Sequence, residues 1–184
     1  DADRAEKCCI AEGAREVQRA TEPEHRAALW TARKKAFGAM GRIAPDLLVQ
    51  DATVPRTKLP EVLTRIAQIG ASYDIKIANV FHAGDGNLHP NLLFDRQNEA
   101  ELDRVERASK EIMQLCVDVG GTITGEHGVG IDKRDYMPLV HNETELEMLR
   151  SVKRLFDPDG FFNPGKVLPS RASSASDAPG AATS

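Results

Sequence analysis

The stretch Ile75-Lys76-Ile77-Ala78-Asn79-Val80-Phe81-His82-Ala83-Gly84-Asp85-Gly86-Asn87-Leu88-His89-Pro90-Asn91-Leu92-Leu93-Phe94 decides the fold. Residues 75–81 and 88–94 each read as a strand, and Asp85-Gly86 between them predicts a tight hairpin. A type I′ turn needs positive φ at both central positions, which that pair tolerates. With those two residues as the turn, Gly84 faces Asn87, Ala83 faces Leu88 and His82 faces His89. Directly opposed residues share a face, with Cβ atoms about 4.5–5.5 Å apart, which suits two imidazoles meeting one ion. Asn91 falls on the same face. Gly84 and Gly86 leave room for a ligand to approach the backbone. The same spacing also suits a plain surface hairpin with two stacked histidines.

A second glycine-bounded cluster, Gly125-Glu126-His127-Gly128, tips that balance toward a site. Two imidazoles and one carboxylate make the ligand set of an open metal centre that keeps positions for substrate. Neighbouring residues in an extended loop point to opposite sides. Glu126 then ligates while His127 faces a substrate as a base. Read alone, Glu126-His127 is an ordinary loop; read with the hairpin, it is half of an enzyme site.

Around these clusters, helices and strands interleave. Residues 3–12 suit a helix, and residues 15–19 a short strand. Thr21-Glu22-Pro23-Glu24 opens a helix that runs through Trp30 and Arg33 to about Phe37. Residues 47–54 form a strand closed by Pro55, followed by a helix from Pro60 to about Gly70. Residues 98–119 form a long amphipathic helix with Leu102, Val105, Ile112, Leu115 and Val119 on one face. Residues 122–124 offer a short strand, and residues 143–156 the last helix, stopped by Asp157-Pro158-Asp159-Gly160. The expected class is α+β, an antiparallel sheet with helices packed on one face. Residues 1–169 form one domain, and the Ser/Ala/Pro-rich residues 170–184 a disordered tail.

Composition removes several alternatives. The net charge of −4 and pI near 5.8 argue against a nucleic-acid surface, and 5% aromatic content leaves no base-stacking platform. No apolar run approaches the roughly 20 residues of a membrane span. Cys8, Cys9 and Cys116 have no framework spacing, which points to a reducing, cytoplasmic setting, with Cys116 as a buried structural thiol. A charged first segment without an initiating methionine reads as part of something longer.

Outside the clusters, Arg33 either shares a solvated cationic face with its neighbours or, three residues after Trp30 and on its side of the helix, points inward. A guanidinium there binds a carboxylate in bidentate fashion. Lys34 and Lys35 read as a solvated face, and His25 and His141 as surface residues. Asn163-Pro164-Gly165-Lys166 is a turn pinned by Phe161 and Phe162.

The segments His82–His89, Gly120–Gly130 and Phe156–Lys166, with Trp30-Thr31-Ala32-Arg33 and Asp51–Arg56, resemble the C-terminal half of FAD-linked 2-hydroxy-acid oxidases. The likeness is strongest to flavoprotein subunits of glycolate oxidases, and D-lactate and D-2-hydroxyglutarate dehydrogenases are relatives. It covers residues 1–169 in order. The resemblance implies a ferredoxin-like cap that closes over FAD bound mainly by a preceding domain, which this chain lacks. It implies metal ligands at His82, His89 and Glu126, holding Zn²⁺ in preference to Mn²⁺, and a catalytic histidine at His127. Arg33 would clamp and orient the substrate carboxylate, Asn91 would lie on the substrate side, and Asn163 and Lys166 on the flavin side. Val49 and Gln50 stand where some relatives carry a substrate-side lysine or tyrosine. The implied reaction oxidises glycolate or D-lactate to the 2-oxo acid, with iron–sulfur and second flavoprotein subunits as partners. Such partners would also give a route to membrane association, and the chain alone should not turn over substrate. The competing expectation is a freestanding metal-binding or interaction module that reuses the cap fold without catalysis.

Overall fold

Three antiparallel strands, β1 (Asp46–Val49), β3 (Lys76–Asn79) and β5 (Pro90–Phe94), form the larger sheet in the order β1-β5-β3. A second pair joins β2 (Ala52–Thr53) to β4 (Asn87–Leu88). The computed structural model describes residues 1–170, so the expected tail over 171–184 lies outside the described residues. Two units divide the chain, Asp1–Arg42 and the part from Ile43 onward.

The first unit carries α1 (Ala2–Ala11), α2 (Pro23–Lys34) and α3 (Ala36–Met40). The strand expected over 15–19 does not form. Pro23 sits in the first turn of α2, where its missing N–H costs nothing, and Glu22, not Thr21, is the N-cap. No residue of α2 is buried, and Trp30 is 59% exposed, so the inward face expected for Trp30 and Arg33 is not there.

In the second unit, α4 (Leu59–Ser72) and α5 (Glu99–Asp118) pack on one face of the larger sheet, giving the expected α+β architecture. Strand β5 is central and buried along its length. Its register sets Leu48 and Ile77 on either side of Leu92. That row meets Val62 and Ile66 of α4 and Val105 and Ile112 of α5 in the core. Asn98 caps α5 by accepting from the Glu101 N–H. The buried stripe of α5 centres on Val105, Ala108, Ile112 and Cys116, leaving Leu102, Leu115 and Val119 at its margin. Burial pushes the Cys116 thiol up to about 12, so it is an inert core residue. Helix α6 (Met137–Val140) and then α7 (Glu143–Phe156) follow, the latter opened by an Asn142–Glu145 capping box.

Two sequence expectations give way here. Residues 47–54 are not one strand: β1 and β2 belong to different sheets, broken at Gln50-Asp51, where two buried polar residues turn inward. The hairpin is also wider than a two-residue turn. His82 pairs with Asn87 and Asn79 with Pro90, so residues 83–86 form the loop. Only Gly86 of Asp85-Gly86 has positive φ, 73°, which excludes type I′. Gly86 packs on Val54, where a Cβ would come within 2.2 Å of the carbonyl oxygen. The register slips by two residues, which preserves the side-chain face and makes His82 and His89 diagonal neighbours.

Leu92→Ala should lower unfolding stability by about 2–5 kcal/mol, because it opens a cavity under the central strand. Met148→Ala, on an exposed face of α7, should shift it by less than about 0.5 kcal/mol. Urea midpoints measured side by side check both; equal shifts would contradict the assigned core.

Candidate active site

The smaller sheet aligns the site. Ala52 pairs with Leu88 and Thr53 with Asn87, while Thr53 also bridges to Thr122. Continued by one or two residues, both registers bring Asp51 opposite His89 and opposite Thr124. Glycines permit this closeness: a Cβ on Gly121 would lie 2.2 Å from the Thr53 oxygen, and one on Gly125 2.6 Å from Thr53 Oγ1. Three chain segments therefore end side by side at one edge.

Asp51 is fully buried and holds this edge together. Its Oδ2 accepts from Thr124 Oγ1 at 2.8 Å and from the backbone N–H groups of Gly125, Glu126 and His127 at 2.9, 3.1 and 2.9 Å. The Lys133 ammonium donates to the Asp51 backbone oxygen at 2.6 Å and to Oδ2 at 3.1 Å. Burial alone pushes the Asp51 carboxyl up. The His127 N–H, the Thr124 hydroxyl and the Glu126 and Gly125 N–H groups outweigh it and hold the carboxyl well below the usual range. Burial lowers the Lys133 ammonium, and the Asp51 charge works against that.

Around this anchor the expected residues converge. His89 Nε2 lies 3.1 Å from Glu126 Oε1, His127 Nε2 3.8 Å and His82 Nε2 3.9 Å from the same oxygen. The His89 ring stacks on His127 with centroids 5.1 Å apart and meets His82 edge-on at 5.5 Å. His89 is buried, whereas His82, Glu126 and His127 are about half exposed. His89 Nδ1 lies 3.2 Å from the Gln50 carbonyl and Nε2 3.1 Å from Glu126 Oε1, so the ring has an acceptor oxygen at each nitrogen and is pinned between them. Glu126 and His127 do not point to opposite sides, as an extended loop would have them. Their consecutive N–H groups all turn onto Asp51, which curls the backbone.

Ligand atoms of Asp51, His89, Glu126 and His127 lie within 4.8 Å of one another. The Asp51 carboxylate is already engaged by its donors, so it serves as support, not as a free ligand. Beyond His127 a cleft of about 700 Å³ opens, lined among others by Val49, Gln50, Ser109, His127, Lys133 and Tyr136. Asn91 is fully buried; its Nδ2 donates to the Ala78 and His89 carbonyls, and Oδ1 has no partner among the described residues.

The remaining expected residues belong to other elements of the chain. Arg33 is exposed near the end of α2, in the first unit. Asn163 and Lys166 are exposed on a turn, where Lys166 Nζ donates to Asn163 Oδ1 at 3.2 Å. That turn ties back to the segment after His127, through Val167 N–H to Gly130 O at 2.7 Å and Arg134 to Gly165 O at 2.9 Å. Sequence reasoning missed the roles of Asp51, Lys133 and the Gln50 carbonyl. One signal was present: Gln50-Asp51 interrupts an otherwise apolar run, and a polar pair inside such a run needs partners.

Comparison with known proteins matches residues 1–167 to the family described as FAD linked oxidases, C-terminal domain. The glycolate oxidase subunit GlcD of Escherichia coli (strain K12) is 46% identical over 169 residues, 92% of this chain and 34% of that protein. GlcD of Bacillus subtilis (strain 168) is 40% identical over 168 residues, 91% of this chain and 36% of the relative. A D-lactate dehydrogenase of Archaeoglobus fulgidus is 31% identical over 169 residues, 91% of this chain and 37% of the relative. The chain thus spans about a third of the length of these relatives. Among the described residues no helix is long and apolar enough to cross a membrane.

The depressed Asp51 carboxyl fixes the sign of one pH dependence. A carboxyl lowered in the folded state contributes stability that is complete above its unfolded value of about 3.9 and is lost as pH falls toward the folded value. Wild-type chain should therefore lose stability below about pH 4 more steeply than Asp51→Asn, measured by urea unfolding at several pH values; parallel curves would contradict it.

Proposed function

The chain belongs to the family of FAD linked oxidases, C-terminal domain, and from that premise we propose that it is the substrate- and metal-binding part of a flavin-dependent oxidase of small 2-hydroxy acids, glycolate or D-lactate. One observation carries the reading: the nitrogens of His82, His89 and His127 converge on one Glu126 oxygen at distances between 3.1 and 3.9 Å. Two ligand atoms bonded at about 2.0–2.2 Å to one ion lie roughly 3–4 Å apart, so the spacing fits a single divalent cation. The seat of His89 supports that fit, since a proton on Nδ1 directed at the Gln50 carbonyl would leave Nε2 to meet an ion beside the carboxylate. The printed names of the relatives, glycolate oxidase subunit and D-lactate dehydrogenase, support the substrate class.

His82, His89 and Glu126 would hold the ion, Zn²⁺ in preference to Mn²⁺, whose chemistry is Lewis-acid activation of the substrate hydroxyl. His127 is assigned the base because it lines the cleft of about 700 Å³ while His82 does not. It takes the hydroxyl proton on Nε2, and imidazole is suited to proton transfer near neutral pH. Arg33 binds the substrate carboxylate with its planar fork and so sets which face of the acid is presented. Asn91 is buried, so its part on the substrate side is to hold the His89 backbone, to whose carbonyl Nδ2 donates at 2.8 Å. Asn163 and Lys166 belong to the flavin side. FAD, held mainly by polypeptide preceding this domain, supplies the hydride acceptor when bound. With the proton on His127 and the α-hydrogen transferred, the hydroxy acid leaves as the 2-oxo acid. Iron–sulfur and second flavoprotein subunits are the proposed partners, in a cytoplasmic setting with membrane association through them. The 184-residue chain alone should show no turnover.

In a complete enzyme containing this domain, His127→Ala should lower turnover by roughly 10²–10⁴-fold, the scale of general-base removal. Steady-state kinetics with glycolate and D-lactate check it, and near-normal turnover would contradict the assignment. Arg33→Ala should raise KM for the acid; an unchanged KM would remove its clamp role.

A further inference from the structure

We infer that Asp51, clamped by Lys133, is the positioning residue of this site: it presets the curled Thr124–His127 backbone so that Glu126 and His127 both meet His89. The metal arm of this inference rests on the ligand set proposed above. In an extended chain, consecutive N–H groups alternate in direction, and so do consecutive side chains. A single Oδ2 that collects the N–H groups of Gly125, Glu126 and His127 imposes a different shape. In that shape two adjacent side chains can share one target, and Glu126 Oε1 lies 3.8 Å from His127 Nε2.

The anchor is itself fixed. Lys133, only 6% exposed, holds both the main-chain and side-chain oxygens of Asp51 and balances its charge. Thr124 Oγ1 completes the ring of donors. The smaller sheet sets Asp51 opposite His89, and Asp51 Oδ1 lies 3.9 Å from His89 Nδ1. One buried side chain therefore references the loop to the histidine it must meet. An asparagine keeps one acceptor oxygen but loses the charge, and its amide NH₂ would face the Glu126 N–H that Oδ1 accepts at 3.3 Å.

The test is the double variant Asp51→Asn/Lys133→Met in the 184-residue chain, which removes both buried charges together and so avoids leaving either one unpaired. Thermal unfolding reports whether it folds, amide hydrogen exchange reads residues 125–127, and Co²⁺ titration by visible absorption reads the ligand set. A cooperatively folded variant should exchange those amides at least ~10-fold faster, with β5 unchanged. Its Co²⁺ affinity should fall about 10–100-fold, the usual cost of losing a group that orients ligands. Wild-type exchange and affinity in the folded variant overturn the inference. His89→Ala separates the two readings: if it leaves Co²⁺ binding intact, the ligand set is wrong, and exchange at 125–127 alone decides the role of Asp51. Should the double variant not fold, Thr124→Val strips one donor from Oδ2 without leaving a charge. Smaller shifts in the same direction support the inference, and wild-type behaviour overturns it.

Discussion

A carboxylate with no exposed surface must be matched by donors, because an unpaired charge in the interior costs several kcal/mol or more. Asp51 is such a group, and the second unit is built to satisfy it. The small sheet brings β2 between β4 and Thr122, which delivers His89 on one side and Thr124 on the other. Gly121 and Gly125 lack the Cβ atoms that would hold those segments apart. Lys133 closes the arrangement from below the cleft. The half-exposed histidines and glutamate are thus carried on an interior that is specified by hydrogen bonds, and the larger sheet with α4 and α5 supplies the rigid support under it.

This division of labour separates what binds from what holds. The side chains of His82, Glu126 and His127 are about half exposed, while Asp51 and Lys133 are buried and bonded to each other. His89 belongs to both sets: one ring nitrogen faces the Gln50 carbonyl and the other the open carboxylate. Such a tether orients an imidazole before any ion arrives. The relatives, three times as long, place this kind of domain within larger polypeptides, and the site opens toward a cleft instead of lying in a closed core.

Much of this was legible in the sequence, for physical reasons that can be named. Apolar spacing and Pro/Gly punctuation located α4, α5 and α7 closely, and the structure adds the Asn98 and Asn142 caps. The four residues His82, His89, Glu126 and His127 were legible as one cluster from glycine-bounded groups of reactive side chains. The hairpin register was not: Asp85-Gly86 is a strong local signal, but the contact of Gly86 with Val54, made from outside the hairpin, widened the turn. The break between β1 and β2 was hidden for a similar reason. Nothing local says that Gln50 and Asp51 will be buried, since their partners Ser109, Thr124 and Lys133 lie at least 59 positions away. The Glu126–His127 pair was misjudged in direction, because its backbone follows Asp51 and not its own neighbours. Arg33 and Trp30 were read as facing inward from helical spacing, yet α2 buries no residue.

The functional reading turns on the proposed cation site of His82, His89 and Glu126. Elemental mass spectrometry of the purified 184-residue chain, beside a His82→Ala/His89→Ala double variant, probes it without the flavin. About one transition-metal ion per wild-type chain, lost in the variant, is the expected result. Equal metal content in the two, or none in the wild-type chain after reconstitution with Zn²⁺ and Mn²⁺, would contradict it.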